Sequence, residues 1–489
     1  MFDRDFITSS QESRAALDEL LGGIVELLVN RSAVAYSGRP PAELERLLDC
    51  NLGAGSGDSV ARVLERLAAV VENSINVDNP RAIAHLHCAT VVPAIAAELL
   101  IGALNPSMDS FDQAPAATMI ELQLLRYLCA RAGFTGKSGG TFTPGATQSN
   151  FFGLLLAREA AFAKLGISGW HGGVGGAAGS LRIVCSRAAH FSVEKSAAQL
   201  GLGTQAVVRV DCDERFRMSI PALRATLEQV VSEGRSAMAI VATAGTTDFG
   251  SIDPLGDVAE LAREYGAWLH VDAAYGGALL FSRQHKHKLR GMDQADSVSI
   301  DFHKLLWQPI GCGAFLLRDA GNFERVKMHA DYLNPEDHEE AGVPDLVTRS
   351  LLTSRRFDAL KLWVSLQLLG ERRIEAMIDQ TLALASEIAS YIETRPELQL
   401  LHSPEIGCVV FRYSPEAEGD GDRINQEIRR GLFESGAAVL GQTRLHDRVC
   451  LKMTCLNPRT KAEQLRELVD EVVARGAHLE QDQAPIQSS

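Results

Sequence analysis

Gly266-Ala-Trp-Leu-His-Val-Asp-Ala-Ala-Tyr-Gly-Gly277 is the stretch on which the fold turns. An apolar strand over residues 267–271 delivers one carboxylate, Asp272, at its C-terminal end, and a turn of small residues follows. Further short β-branched runs at 182–185, 206–210 and 237–243 alternate with amphipathic helical patterns, and 297–301 adds one more strand. Such alternation predicts βαβ units, hence an α/β fold with a mostly parallel central sheet in a large domain. That domain is expected over 106–365. Residues 1–105 read as a helical N-terminal region with a polar, glycine-bearing loop at 51–59. Residues 366–489 read as a small α+β domain: a long helical pattern through 360–401, strands at 409–412 and 449–454, and a polar tail at 481–489.

Composition narrows the function. The 489 residues can bury a sizeable pocket, and 46% apolar with 22% charged residues describes a soluble globular chain. A net charge of -14 leaves no basic field for a phosphate backbone, so a nucleic-acid partner is not expected. The nine cysteines are scattered and never in a C-x-x-C arrangement, which fits reduced thiols in a cytoplasm. The first twenty residues lack the basic and apolar regions of a secretory signal. The apolar run 91–104 is too short to span a bilayer and reads as buried helix, so no membrane partner is expected.

Several elements carry chemistry. In Ser297-Val-Ser-Ile-Asp-Phe-His-Lys304 an alternating strand ends in a histidine and a lysine, followed by apolar residues. Desolvation there favours the neutral amine that attacks an aldehyde, while an ordinary strand-end surface lysine is the plainer reading. Asp272, buried at a strand end where open parallel sheets hold ligands, needs a cationic partner, and a protonated pyridine nitrogen is one. A turn cap is the other reading of Asp272. Thr143-Pro-Gly-Ala-Thr-Gln-Ser-Asn150 opens a strongly helical segment, as either a phosphate cradle or a plain N-cap. His190 follows the 182–185 strand, where an imidazole can lie over a planar ring, and Thr246 follows the 237–243 strand. Singly each is ordinary, but cradle, stacking residue, pyridinium partner and lysine occur in one chain in that order.

These elements resemble the group II decarboxylases of the fold-type-I pyridoxal-phosphate enzymes. That family contains aromatic amino-acid, glutamate and diaminobutyrate decarboxylases. The resemblance runs from about residue 80 to 458, and its most specific marks are His270-Val-Asp-Ala-Ala-Tyr-Gly276, Asp301-Phe-His-Lys304, Thr143 to Asn150, and Ser354-Arg-Arg-Phe-Asp-Ala-Leu-Lys-Leu-Trp363. It implies pyridoxal 5'-phosphate as cofactor, carried as a Schiff base on Lys304, with Asp272 as pyridinium partner and His190 as the ring-stacking base. Ala146, Thr147, Asp301 and His303 are implied around the phosphate, and Thr246 and Ala274 near the ring. The implied reaction releases the α-carboxylate of an L-amino acid as carbon dioxide, in a homodimer with its active site at the subunit interface.

Met108-Asp-Ser-Phe-Asp-Gln-Ala-Pro115 and Asp301 to Pro309 look most like bacterial diaminobutyrate and lysine decarboxylases that supply diamines for siderophores. The expected substrate is therefore a diamino acid, with Asp109 or Asp112 accepting its distal ammonium and His85, His87 and Cys88 at the entrance. Lys452 stands where glutamate decarboxylases carry an arginine, which argues against a glutamate substrate. The loop tyrosine that reprotonates substrate carbon in many relatives is Leu346 here, leaving Tyr332 and His338 as candidates in the same segment. That departure motivates an aldehyde-forming oxidative decarboxylase as the runner-up. Decarboxylation of an aromatic, aspartate or cysteine-sulfinate substrate competes with it, and a non-catalytic scaffold ranks last. No metal site is expected: the His85/His87 and His285/His287 pairs lack a partner set. The glycine-rich 172–179 stretch misses the dinucleotide spacing.

Overall fold

The computed structural model describes residues 2–48, 57–415 and 420–483; Cys50, residues 51–56 of the glycine-bearing loop and the tail residues 484–489 lie outside the described residues. The chain forms two compact units. One comprises Leu86–Ala389 and His402–Val409, the other Met1–His85, Ser390–Leu401 and Val410–Ser489. Three successive regions were expected; instead residues 1–85 fall in one unit with most of the C-terminal strands, while residues 86–105 and the helix past residue 366 as far as Ala389 belong to the large one.

The large unit holds a seven-stranded sheet. Its strands are β1 (Gly139–Thr143), β2 (Leu181–Ser186), β3 (Val207–Val210), β4 (Ser236–Thr243), β5 (Trp268–Asp272), β6 (Ser297–Asp301) and β7 (Gly313–Leu317). They lie in the order β1-β7-β6-β5-β4-β2-β3. All neighbouring pairs are parallel except those of β7, which runs antiparallel to both β1 and β6. In β4 every residue after Ser236 is buried, because a strand with covered faces has no solvent side to alternate toward. The helix Ala146–Lys164 is buried along most of its length, and its Phe152, Leu155 and Phe162 share a core with Ile183, Val241 and Phe315. Away from the apolar core, Arg355 grips both oxygens of fully buried Glu121 at 2.8 and 2.6 Å, and Glu121 accepts the Phe142 N–H of β1. This pair ties the Ser354-to-Trp363 motif to the sheet edge.

Two helical expectations change. The long helix Ala359–Glu393 breaks at Gly370, whose φ of 69° lies in the left-handed region that glycine adopts freely. The helix Val92–Leu104 is not buried all round: Val92, Ile95, Leu99, Leu100 and Leu104 are exposed, while Ala94, Ala97 and Ile101 face inward. Among the described residues no helix is long and apolar enough to cross a membrane.

Apart from Cys408 and Val409 at the start of β9, the second unit carries a sheet of β8 (Leu398–Leu400), β9 (Cys408–Tyr413), β10 (Gly441–Leu445) and β11 (Arg448–Thr454), ordered β10-β11-β9-β8. Residues 481–483, read as part of a frayed tail, complete its helix Ala462–Gln483.

Candidate active site

The C-terminal ends of β4, β5 and β6 open into a cavity of about 670 Å³ inside the large unit. Strand register decides what meets there: Thr243 pairs with Asp272 across β4 and β5, and Asp272 with Ser299 across β5 and β6. Asp272 is 5% exposed. Its Oδ2 accepts from Asn150 Nδ2 at 2.7 Å, and its Oδ1 accepts the Ala274 N–H at 3.1 Å and lies 3.4 Å from the Ser299 hydroxyl. These donors are all neutral. Among the described residues no lysine, arginine or histidine forms an ion pair with this carboxylate, an arrangement that favours a cationic ligand facing it.

Lys304 also lines the cavity, three residues past the end of β6. Its surroundings are not purely apolar: Nζ lies 3.2 Å from Asp301 Oδ2, so an ion pair supplements the buried Leu305, Leu306 and Trp307. Asp301 reaches the opposite way as well, where its Oδ1 accepts the Ala146 N–H at 2.7 Å. Instead of merely flanking an anion, Asp301 joins the lysine loop to the start of the Ala146–Lys164 helix. The next backbone N–H, of Thr147, has no hydrogen-bond partner among the described residues, and Thr147 lines the cavity. His303 donates Nδ1–H to the Cys312 carbonyl at 3.0 Å, and its Nε2 lies 3.6 Å from Asp301 Oδ2.

His190 lines the same cavity, and its Nδ1 accepts the Ser192 N–H at 3.2 Å and meets the Ser192 hydroxyl at 2.9 Å. Burial holds its imidazole below the usual histidine range; Asp272 opposes that shift and Lys304 reinforces it. His190 is therefore a neutral, flat group at neutral pH, suited to packing on a ring.

Other expected residues are placed differently. Thr246 does not line the cavity, because its hydroxyl accepts the Ser251 N–H within the turn after β4. Thr243 does line it, and its buried Oγ1 has no hydrogen-bond partner among the described residues, as is true of Gln148 Oε1. Asp109 accepts the N–H of Ser110 and Asp112 the hydroxyl of Ser110, and neither lines the cavity. Half-buried His87 is held below the usual histidine range by burial and by His303. Cys88 donates its thiol to the Lys304 carbonyl at 3.2 Å, and burial pushes that thiol up to about 12. His85 and Lys452 belong to the second unit. On the 328–349 segment Tyr332 is 89% exposed, whereas His338 Nδ1 lies 2.9 Å from the buried Asp345 carboxylate. Leu346 is buried there.

Asn150, Ser192, Ser299 and Thr243 were not singled out from the sequence. Asn150 did end a quoted motif, but its carboxylate partner becomes visible only once the strands are in register.

The donor set fits pyridoxal phosphate. Asp272 faces the cavity as an anion, an unpartnered N–H sits at a helix start where a phosphate is favoured, and a lysine amine and two orphaned polar atoms line the space between. Known proteins agree with that fit. The model of the Pyridoxal-dependent decarboxylase conserved domain matches residues 41–414. The L-2,4-diaminobutyrate decarboxylase of Rhizobium meliloti (strain 1021) is 41% identical over 481 residues, covering 96% of this chain and 94% of that one. Its counterpart from Acinetobacter baumannii is 40% identical over 472 residues, covering 94% and 88%. A crystal structure from Vibrio parahaemolyticus, the glutamate decarboxylase domain of diaminobutyrate-pyruvate transaminase and L-2,4-diaminobutyrate decarboxylase, superposes with a TM-score of 0.89. It is 36% identical and covers 98% of this chain and 99% of that chain. With a match across most of its length and a site whose charges suit the cofactor, the chain belongs to the pyridoxal-dependent decarboxylase family.

Proposed function

We propose that this chain decarboxylates a diamino acid, L-2,4-diaminobutyrate first and ornithine or lysine next, with pyridoxal phosphate held on the ε-amine of Lys304. The observation that carries the cofactor chemistry is Asp272, a buried carboxylate supplied only with neutral donors. The substrate rests on the diaminobutyrate decarboxylases that align with more than nine tenths of this chain. When bound, pyridoxal phosphate supplies the electron sink for the pair left on the substrate carbon as carbon dioxide departs. Asp272 keeps a proton on the ring nitrogen by charge, which keeps that sink strong. His190 offers its flat face to the ring, with Nδ1 engaged by Ser192. Thr147 N–H, at the helix start, and His303 would hold the phosphate.

A panel scored by carbon dioxide release tests the substrate. Diaminobutyrate is expected to show the highest kcat/KM. Faster turnover of dihydroxyphenylalanine, glutamate or cysteine sulfinate would overturn the diamino-acid assignment, and aldehyde with peroxide in place of amine would favour oxidative decarboxylation. None of the eight described cysteines forms a disulfide with another described residue, which suits a reducing cytoplasm where such a diamine would enter siderophore or polyamine assembly.

The working form in this reading is a homodimer. On the helix Val92–Leu104, Val92, Ile95 and Leu99 recur at i, i+3 and i+7 on an exposed face, with Val92 81% exposed. An apolar stripe of this kind calls for a cover, and a second copy of the chain is the occupant the family resemblance implies. Sedimentation of the holoenzyme is expected to give twice the monomer mass, and a monomer at working concentrations would refute the dimer.

A further inference from the structure

One buried hydrogen-bond chain runs along β5 from its first residue to its last. Trp268 Nε1 donates to Ser297 Oγ at 2.8 Å, and Ser297 Oγ lies 2.8 Å from His270 Nδ1. His270 Nε2 lies 2.9 Å from Asn150 Oδ1, and Asn150 Nδ2 reaches Asp272 Oδ2 at 2.7 Å and Ser192 Oγ at 3.0 Å. His270, Ser297 and Ser192 are fully buried, and Asn150 is 1% exposed. Register places Ser297 beside His270. Gly153 makes room for the ring, since a Cβ there would come within 2.5 Å of His270 Nδ1.

The two ends of this chain fix every proton within it. At one end the indole only donates, so Ser297 accepts from it and its own proton stays available to His270 Nδ1. At the other end, an ionised Asp272 at 2.7 Å demands the amino side of the Asn150 amide, which turns Oδ1 toward His270. The Ser299 hydroxyl, donating to the same Oδ1 at 2.7 Å, agrees with that orientation. His270 must then carry its proton on Nε2 and none on Nδ1. The second amino proton of Asn150 goes to Ser192 Oγ, so the Ser192 hydroxyl points at His190 Nδ1 and the His190 proton sits on Nε2.

We propose that His270 is a positioning residue for the cofactor site: through Asn150 it holds the Asp272 carboxylate as an acceptor for the ring nitrogen. This rests on the reading of Asp272 given above. Burial pushes the His270 imidazole down to about 4, so it remains a neutral donor through the working pH range. Without the Nε2 donor, Asn150 Oδ1 keeps only the Ser299 hydroxyl, and the amide is held less firmly in that orientation. A flipped amide presents oxygen to Asp272, so the carboxylate loses a hydrogen-bond donor and its hold on a charged ring nitrogen is disturbed.

The test compares two ligands of the apoprotein: pyridoxal phosphate, and a carbocyclic analogue in which C–H replaces the ring nitrogen. Both retain the aldehyde and the phosphate, so the ratio of their dissociation constants reads the Asp272 interaction alone. Wild type is expected to prefer pyridoxal phosphate. His270→Phe should lose about tenfold or more of that preference, and His270→Gln, whose Nε2 can still donate to Asn150, should keep most of it. If His270→Phe keeps the full preference, or weakens both ligands equally, the positioning role is overturned. Where His270→Phe does not fold, Ser297→Ala, which removes the donor to Nδ1, takes its place with the same two outcomes. A wild type with no preference overturns the Asp272 reading and this inference with it, whereas a preference untouched in the variants overturns this inference alone.

Discussion

Lys304→Ala is expected to abolish both the visible absorption of the bound cofactor and all measurable turnover, while the far-ultraviolet circular dichroism stays that of wild type. Lys304 is the lysine lining the cavity, with Nζ held 3.2 Å from Asp301. Removing it deletes the amine that anchors the cofactor and leaves the Asp301 carboxylate with only the Ala146 N–H and nearby His303. The fold should survive, because the side chain packs into a cavity and not into the core. Retained activity in a folded variant would show that another amine carries the cofactor.

Asp272→Asn should lower kcat by about 10²-fold or more even with saturating cofactor. The amide keeps the shape of the carboxylate and can still accept the Ala274 N–H, so a residue that merely caps its turn would tolerate it. What the amide cannot do is stabilise a proton on the ring nitrogen by charge. A steady-state rate restored in full by added cofactor would favour the capping role.

Much of this site is legible in the sequence because strand ends are. Asp272 closes an apolar run, Lys304 follows an alternating one, and the Thr143-to-Asn150 segment opens a strong helix, so each could be placed at one edge of a parallel sheet. Direction and register were not legible. β7, Gly-Ala-Phe-Leu-Leu, is as apolar as a parallel core strand, and nothing in its period says that it runs antiparallel. β1 opens on two glycines, which weaken it as a strand signal, and pairs along its length with β7.

The same limit explains the threonines. Thr243 and Thr246 lie three residues apart around one turn, and the hydroxyl that faces the cavity depends on where the turn closes on Ser251. Asp109 and Asp112 had the charge wanted for a distal ammonium, and in the fold each accepts a hydrogen bond from Ser110 and neither lines the cavity of the large unit. The exposed face of Val92–Leu104 misled for a different reason: an apolar helix reads alike whether its own chain or a second one covers it.

Pyridoxal phosphate bound covalently at Lys304 is the central claim, and peptide mapping after borohydride reduction tests it most directly. Reduction makes the link between cofactor and amine permanent, so mass spectrometry of the digested holoenzyme reports which lysine carries it. The expected result is a single modified peptide, the one containing Lys304, and none when a diamino-acid substrate has displaced the amine before reduction. Modification at any other lysine, or a holoenzyme that decarboxylates while Lys304 stays unmodified, would contradict it.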